Sequence, residues 1–222
     1  MPIEASHSTE IVMRVAHLAL VFMVLVYALR IRWILKFEVA RDRTPARGVP
    51  RKGIWHAYAT LAKPWDLPST RRHWFRWLEF ALFHLAVAIA IAMTFLIPYA
   101  PRLIGSPAVT HFLQVTIALG ALAGLSRLAR RLVRREMRVI SSPDEIFSLV
   151  MLVVWMLAGV LAAPMRNEPA ILAFFLLTTF FLIYVPFSKI SHYIYWPFIR
   201  FYLGKQLGHR GVYPPKAVPR HG

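Results

Sequence analysis

"FALFHLAVAIAIAM", residues 80–93, holds one polar side chain among fourteen. The run is continuous rather than alternating, and it belongs to a stretch long enough to cross a bilayer, which takes about 20 apolar residues per helix. Working outward, four more runs share this character, and spans are read at roughly 11–35, 75–98, 108–130, 145–165 and 169–193. They account for a 222-residue chain that is 58% hydrophobic with a mean hydropathy of +0.51, where soluble domains average about 45–50% apolar. The expectation is an all-α integral membrane bundle of five transmembrane helices, one domain over 1–205 and a basic cytoplasmic tail at 206–222. A β-barrel is excluded because its strands alternate. A cleaved signal is not expected either. Glu4 and Glu10 stand where a basic segment belongs, and no small-residue cleavage pattern precedes Arg30.

A formal net charge of +17 would point to nucleic acid in a soluble protein. Its placement points elsewhere. Of 27 Lys and Arg, twelve lie from Arg30 to Arg76, six from Arg127 to Arg138 and six from Lys189 onward, leaving Arg14, Arg102 and Arg166. This alternation follows the positive-inside rule. The N-terminus is expected outside, with the 37–73 loop, the 131–143 link and the C-terminus cytoplasmic. Membrane lipid is the expected surrounding, and no nucleic-acid partner is expected. The chain has no cysteine, which excludes disulfides, thiolate zinc sites, covalently attached c-type haem and any iron–sulfur cluster ligated by this chain.

The 37–73 stretch reads as a loop rich in arginine and proline. Inside it "GIWHAYATLAKPWDLP", residues 53–68, sets Trp55, Tyr58 and Leu61 at helical spacing, as in a short interfacial helix. The outer connections "PYAPRLIGSP" and "APMRNEP" are short and closed by prolines. Trp74, Trp77 and Trp196 mark membrane interfaces. "SSPDEIF" opens the fourth span, with Ser142 as N-cap, Pro143 first in the helix, and Asp144 and Glu145 complementing its dipole. Gly120, Ala121, Ala123 and Gly124 predict close helix packing.

Ionisable residues within spans are functional candidates. His84 lies seven residues past Trp77, about 10 Å along the helix, and His192 four residues before Trp196, about 6 Å. On antiparallel second and fifth helices the two share a similar depth in the cytoplasmic half. Such a pair can give both axial ligands to one haem. An interhelical hydrogen bond or an interfacial histidine fits the same spacing, and geometry alone leaves these open. His17 and His111, near the outer ends of the first and third spans, also agree in depth. They are candidates for a second haem or for a quinone carbonyl, with outer-interface polar residues as the plainer reading. Glu79 is a proton-relay candidate, although Arg76 three residues earlier predicts a local ion pair. Lys189 and the arginines near 71–76 and 127–138 are placed to neutralise haem propionates or, more simply, to obey the positive-inside rule.

"LFH" at 82–84 and "PFSKISH" at 186–192 resemble the haem-ligating helices of the respiratory nitrate reductase gamma subunit. The likeness spans roughly 75–205 and takes in "RRLVRREMR" and "SSPDEIFSLVMLVVWMLAG". The tail "RFYLGKQLGHRGVYPP" and the long first loop are closer to a second branch, the cytochrome b subunits of heterodisulfide-reductase-like and sulfite-reduction-associated membrane complexes. The resemblance implies haem b with His84 and His192 as ligands to the iron and quinone as a substrate. It also implies a cytoplasmic iron–sulfur partner subunit, heterodisulfide-reductase-like or nitrate-reductase-beta-like, in a prokaryotic cytoplasmic membrane. The family's second pair of haem ligands would fall at Thr94 and Phe174, and neither can ligate iron. One complete haem site is therefore expected, and the function implied is electron transfer between quinone and the iron–sulfur subunit. Two alternatives stand beside it: a haem conduit fed by a multihaem cytochrome on the outer face, and a cofactor-free anchor or transporter. For a transporter, neither an internal repeat nor a broken midplane helix is found.

Overall fold

The computed structural model describes residues 7–38, 42–66 and 68–215. The regular elements there are all helical: α1 His7–Leu35, α2 Pro50–Ala62, α3 Pro68–Arg72, α4 Trp74–Tyr99, α5 Pro101–Ile104, α6 Pro107–Val133, α7 Arg135–Ile140, α8 Pro143–Ala162, α9 Glu168–Tyr184 and α10 His192–His209. Five of them, α1, α4, α6, α8 and α9 with the turn that follows it, are long and apolar enough to cross a membrane. The chain is an all-α multi-pass membrane protein, as its hydropathy predicts. It divides into two compact units. The first holds residues up to Tyr27 and Phe75–Ile190; the second holds Ala28–Trp74 and the chain from Ser191 onward.

In the first unit α4 buries Glu79, Phe83, Ala86, Ala90, Met93 and Ile97, a spacing of four and three that keeps one face on its neighbours. Across from it α6 buries Leu113, Ile117, Gly120 and Gly124 at the same spacing. Gly120 permits the approach: a Cβ there would lie 2.0 Å from the Cβ of Ala86. The predicted small-residue packing is present. At Gly124 a Cβ would meet Val153 of α8 at 2.7 Å and the Phe83 ring at 3.0 Å, so α8 seats on the same seam. Between α8 and α9, Trp155 stacks on Phe174 at 5.6 Å with an interplanar angle of 9°, and its indole N–H donates to Thr178. The opposite faces are apolar and exposed, with Leu18 at 71% and Leu122 at 61%, as suits side chains that meet lipid tails.

Helix ends follow local chemistry. Ser142 caps α8 and forms a reciprocal capping box with Glu145, with Pro143 in the first turn. The predicted end of that span at 165 moves to Ala162, because Pro164 cannot continue the helix and Met165 turns left-handed at φ 53°. The fifth span is corrected more substantially. It was expected to run to 193, but α9 stops at Tyr184 and passes through two 3-10 turns, Val185–Phe187 and Lys189–Ser191. Pro186 has no N–H to donate and crowds the preceding turn. Beyond it the Lys189 N–H is taken by the Asp144 carboxylate at 3.0 Å. His192 therefore opens a separate helix.

In the second unit α2 and α10 run antiparallel, and the helix predicted within 53–68 starts earlier, at Pro50. The side chain of Leu61, expected to share its face with Trp55 and Tyr58, lies outside the described residues. The contact between the two helices is glycine on glycine. A Cβ on Gly53 would come within 2.3 Å of the Gly204 carbonyl oxygen and 2.5 Å of the Gly208 Cα. The Arg47 and Gly48 N–H groups both donate to the His209 carbonyl, and the Tyr58 hydroxyl donates to the Pro197 carbonyl at 2.7 Å. Gly211, at φ +70°, has its Cβ position 2.7 Å from the Arg47 carbonyl oxygen, so only glycine makes this turn. Residue 205, the expected edge of the tail, falls inside α10; the last seven tail residues, 216–222, lie outside the described residues. The Arg210 guanidinium, helped by Thr44, holds the Asp42 carboxyl well below the usual carboxylate range.

Two outcomes follow. Gly53→Val drives a side chain into backbone, and overpacking of this kind costs about 1–3 kcal/mol. Limited proteolysis should then cut within 192–209 while α6, α8 and α9 stay protected. Because the pKa of Asp42 is lowered on folding, its link to Arg210 is at full strength above the unfolded carboxylate range, about pH 4, and is lost only as pH falls through the lower folded value. Amide exchange around residues 42–48, corrected for its intrinsic pH dependence, should not change between pH 8 and pH 5.

Candidate functional site

His84 sits on α4 one residue past the packed stripe and is half-buried. Its Nδ1–H donates to the Phe80 carbonyl at 2.8 Å, with the Phe80 ring 3.9 Å away and the Phe83 ring edge-on at 5.8 Å. A proton held on Nδ1 puts the lone pair on Nε2. Histidines that ligate metals are prepared in this way, with the other ring nitrogen donating to a backbone carbonyl. This is the tautomer that an axial haem ligand would need. His84 belongs to the first unit, whereas His192 heads α10 in the second. His192 is exposed, and its ring lies 6.4 Å from that of Tyr193.

The basic end of the first unit is wired by charge. Arg130 of α6 grips Glu79 of α4 with two parallel bonds, Nη1 to Oε1 at 2.9 Å and Nη2 to Oε2 at 2.6 Å. The expected local partner, Arg76, is displaced from this role. Glu79 lies on the packed stripe and faces α6, where Gly120 and Gly124 have brought Arg130 close enough for bidentate pairing. Nearby, Arg131 donates to Ser141 and Glu145, and the Lys189 ammonium bonds Glu145 at 3.2 Å. Lys189, expected near a propionate, is thus engaged with a carboxylate of the protein. Tyr184 links the Asp144 carboxylate to Ser148.

At the other end of the unit His17 and His111, expected near the outer face, have different settings. His17 donates from Nδ1 to the Met13 carbonyl and accepts at Nε2 from the Tyr99 hydroxyl. Both ring nitrogens are occupied, which leaves no lone pair for iron. His111 lines a cleft of about 410 Å³ with Gly105, Pro107, Thr110, Gln114, Pro164 and Arg166. The Gln114 amide donates to the Val160 carbonyl. His17 is not part of this lining.

The positions of the family's second ligand pair are used for packing. The Thr94 hydroxyl donates to the Ile91 carbonyl, and Phe174 is fully buried against Trp155 and Gly159. Sequence reasoning missed the Glu79–Arg130 pair, although Glu79 shares the spacing of Phe83 and Ala86. It also missed Arg166 and the Gly204–Gly208 spacing, a small-x-x-x-small signal of close helix packing. Among the described residues no three His, Asp or Glu side chains converge as a metal site; a haem takes only two ligands. No protein-family model, curated protein or solved structure matches the chain.

Replacing Glu79 by Gln leaves Arg130 on a packed face without its counter-charge. A loss on the order of 2 kcal/mol is expected, read as a lower unfolding midpoint in detergent. Adding Arg130→Gln should recover part of it. Simple addition of the two losses would show that the pair is not coupled.

Proposed function

We propose that the protein is a haem b subunit of a respiratory redox complex in a prokaryotic cytoplasmic membrane. It would pass electrons between the quinone pool and a cytoplasmic iron–sulfur subunit. One observation carries the reading: His84, on a spanning helix, donates Nδ1–H to the Phe80 carbonyl, the tautomer in which a histidine ligates a metal through Nε2. The pairing with His192, the quinone, the partner and the N-out orientation rest on the sequence resemblance and the charge distribution. A haem with two imidazole ligands carries single electrons and keeps no open position for a substrate.

The chain's own residues supply placement. Phe80 and Phe83 flank the imidazole, and the Phe80 carbonyl holds its tautomer. Apolar α4, α6 and α8 keep water from the span. His111 and Arg166 provide donors that suit the carbonyl oxygens of a quinone headgroup. The basic connections suit an acidic docking surface on the iron–sulfur subunit. A second reading, with electrons supplied by a multihaem cytochrome on the outer face, is favoured by Thr94 and Phe174, whose positions hold packed side chains instead of a second ligand pair.

A reduced-minus-oxidised spectrum of the purified chain, with haem quantified per polypeptide, tests the proposal. One b-type haem is expected. His84→Ala and His192→Ala should each abolish the low-spin signal while the protein still inserts in the membrane. Wild-type protein without a b-type signal, or either alanine variant with an unchanged spectrum, would sink the assignment.

A further inference from the structure

Six arginines lie between Arg127 and Arg138, and they are not equivalent. Arg130 is held by Glu79 and Ser126, and Arg131 by Glu145 and Ser141. Arg134, Arg135 and Arg138 are exposed where α6 gives way to α7. Arg127 continues the face of α6 that carries Gly120 and Gly124, three residues past Gly124 and seven past Gly120. It is half-buried, and its guanidinium stands over the Phe83 ring at 5.4 Å. Glu79, on the facing stripe of α4, has both oxygens bonded to Arg130. Among the described residues no carboxylate pairs with Arg127, and the Glu79, Arg127 and Arg130 group carries a surplus positive charge. Within a membrane span such a charge asks for an anion.

The geometry also links this charge to His84. Phe83 is pinned, since the space beside it at Gly124 is too small for a Cβ. Arg127 lies over its face, and the His84 ring packs edge-on to it. A ligand held at His84 with an anionic arm reaching past Phe83 would meet a planar guanidinium, the side chain best shaped for a carboxylate. We propose that Arg127 receives a haem propionate and thereby sets the potential of the haem that His84 ligates; the proposal rests on the haem reading above. Arg127 is a positioning residue here: it touches the carboxylate arm and acts on the iron through its charge. A fixed positive charge beside the haem favours the reduced, more negative form.

The test is a spectroelectrochemical titration of the haem-loaded full-length chain as wild type, Arg127→Gln, Arg127→Lys and Arg134→Gln. Arg127→Gln should keep the low-spin spectrum and shift the reduction equilibrium about tenfold toward the oxidised form, about 59 mV lower for a one-electron couple. Arg127→Lys should restore most of the shift, and Arg134→Gln should leave the midpoint near the wild-type value. An unshifted Arg127→Gln midpoint, or an equal shift in Arg134→Gln, would overturn the proposal. If Arg127→Gln fails to retain haem, a haem-loaded Arg127→Lys near the wild-type potential supports the proposal, and an Arg127→Lys equally devoid of haem overturns it. Wild-type protein without a b-type band is a different failure, that of the haem reading itself.

Discussion

Gly120 brings the backbone of α6 against Ala86 of α4, and much of the first unit depends on that approach. Lipid tails are as apolar as leucine, so two spanning helices gain little from hiding apolar surface from each other. Close van der Waals fit holds them, and it requires a missing side chain at the crossing. Once Gly120 and Ala86 are set, the register runs toward the basic end. Phe83 falls over Gly124 one turn on, and Glu79 reaches Arg130 a turn after that. The ion pair is thus a consequence of the seam, in a place where an unpaired carboxylate would be costly.

The same device recurs in the second unit with a different emphasis. Between α2 and α10 there is almost no side-chain core; Gly53, Gly204 and Gly208 put backbone on backbone. Sixteen of the 27 Lys and Arg belong to this unit, with only three of the ten acids. Glycine contact lets two helices pack while their long cationic side chains stay in solvent, and Arg210 with Asp42 and His209 with Thr44 tie the adjoining loop down. A strongly basic segment thereby gains a defined shape that a solvated tail would lack.

How much of this was legible can be argued residue by residue. The spans were, because hydrocarbon demands long apolar runs with internally bonded backbones. So was the start of α8, where Ser142, Pro143 and Glu145 announce a cap locally. The end of α9 was misjudged: Pro186 was in view, but the run of apolar and aromatic residues beyond it has the composition of a span. What redirects the chain is also a bond from Lys189 N–H to Asp144, 45 residues earlier. Glu79 was assigned to Arg76 by proximity in sequence, and the structure prefers a residue 51 positions away.

By itself the sequence determined that this is a membrane protein with five spans, where α8 begins, and that His84 is an ionisable group inside a span. These follow from hydropathy, capping and spacing, all of which act over one or two turns. Only the tertiary structure decided which charges pair, and that among the described residues no carboxylate pairs with Arg127. It alone decided that Thr94 and Phe174 are spent on local bonding and packing, and that α10 is a helix in its own right, seated on α2. Those outcomes depend on how closely two backbones approach, which glycine permits but its neighbours in sequence do not specify.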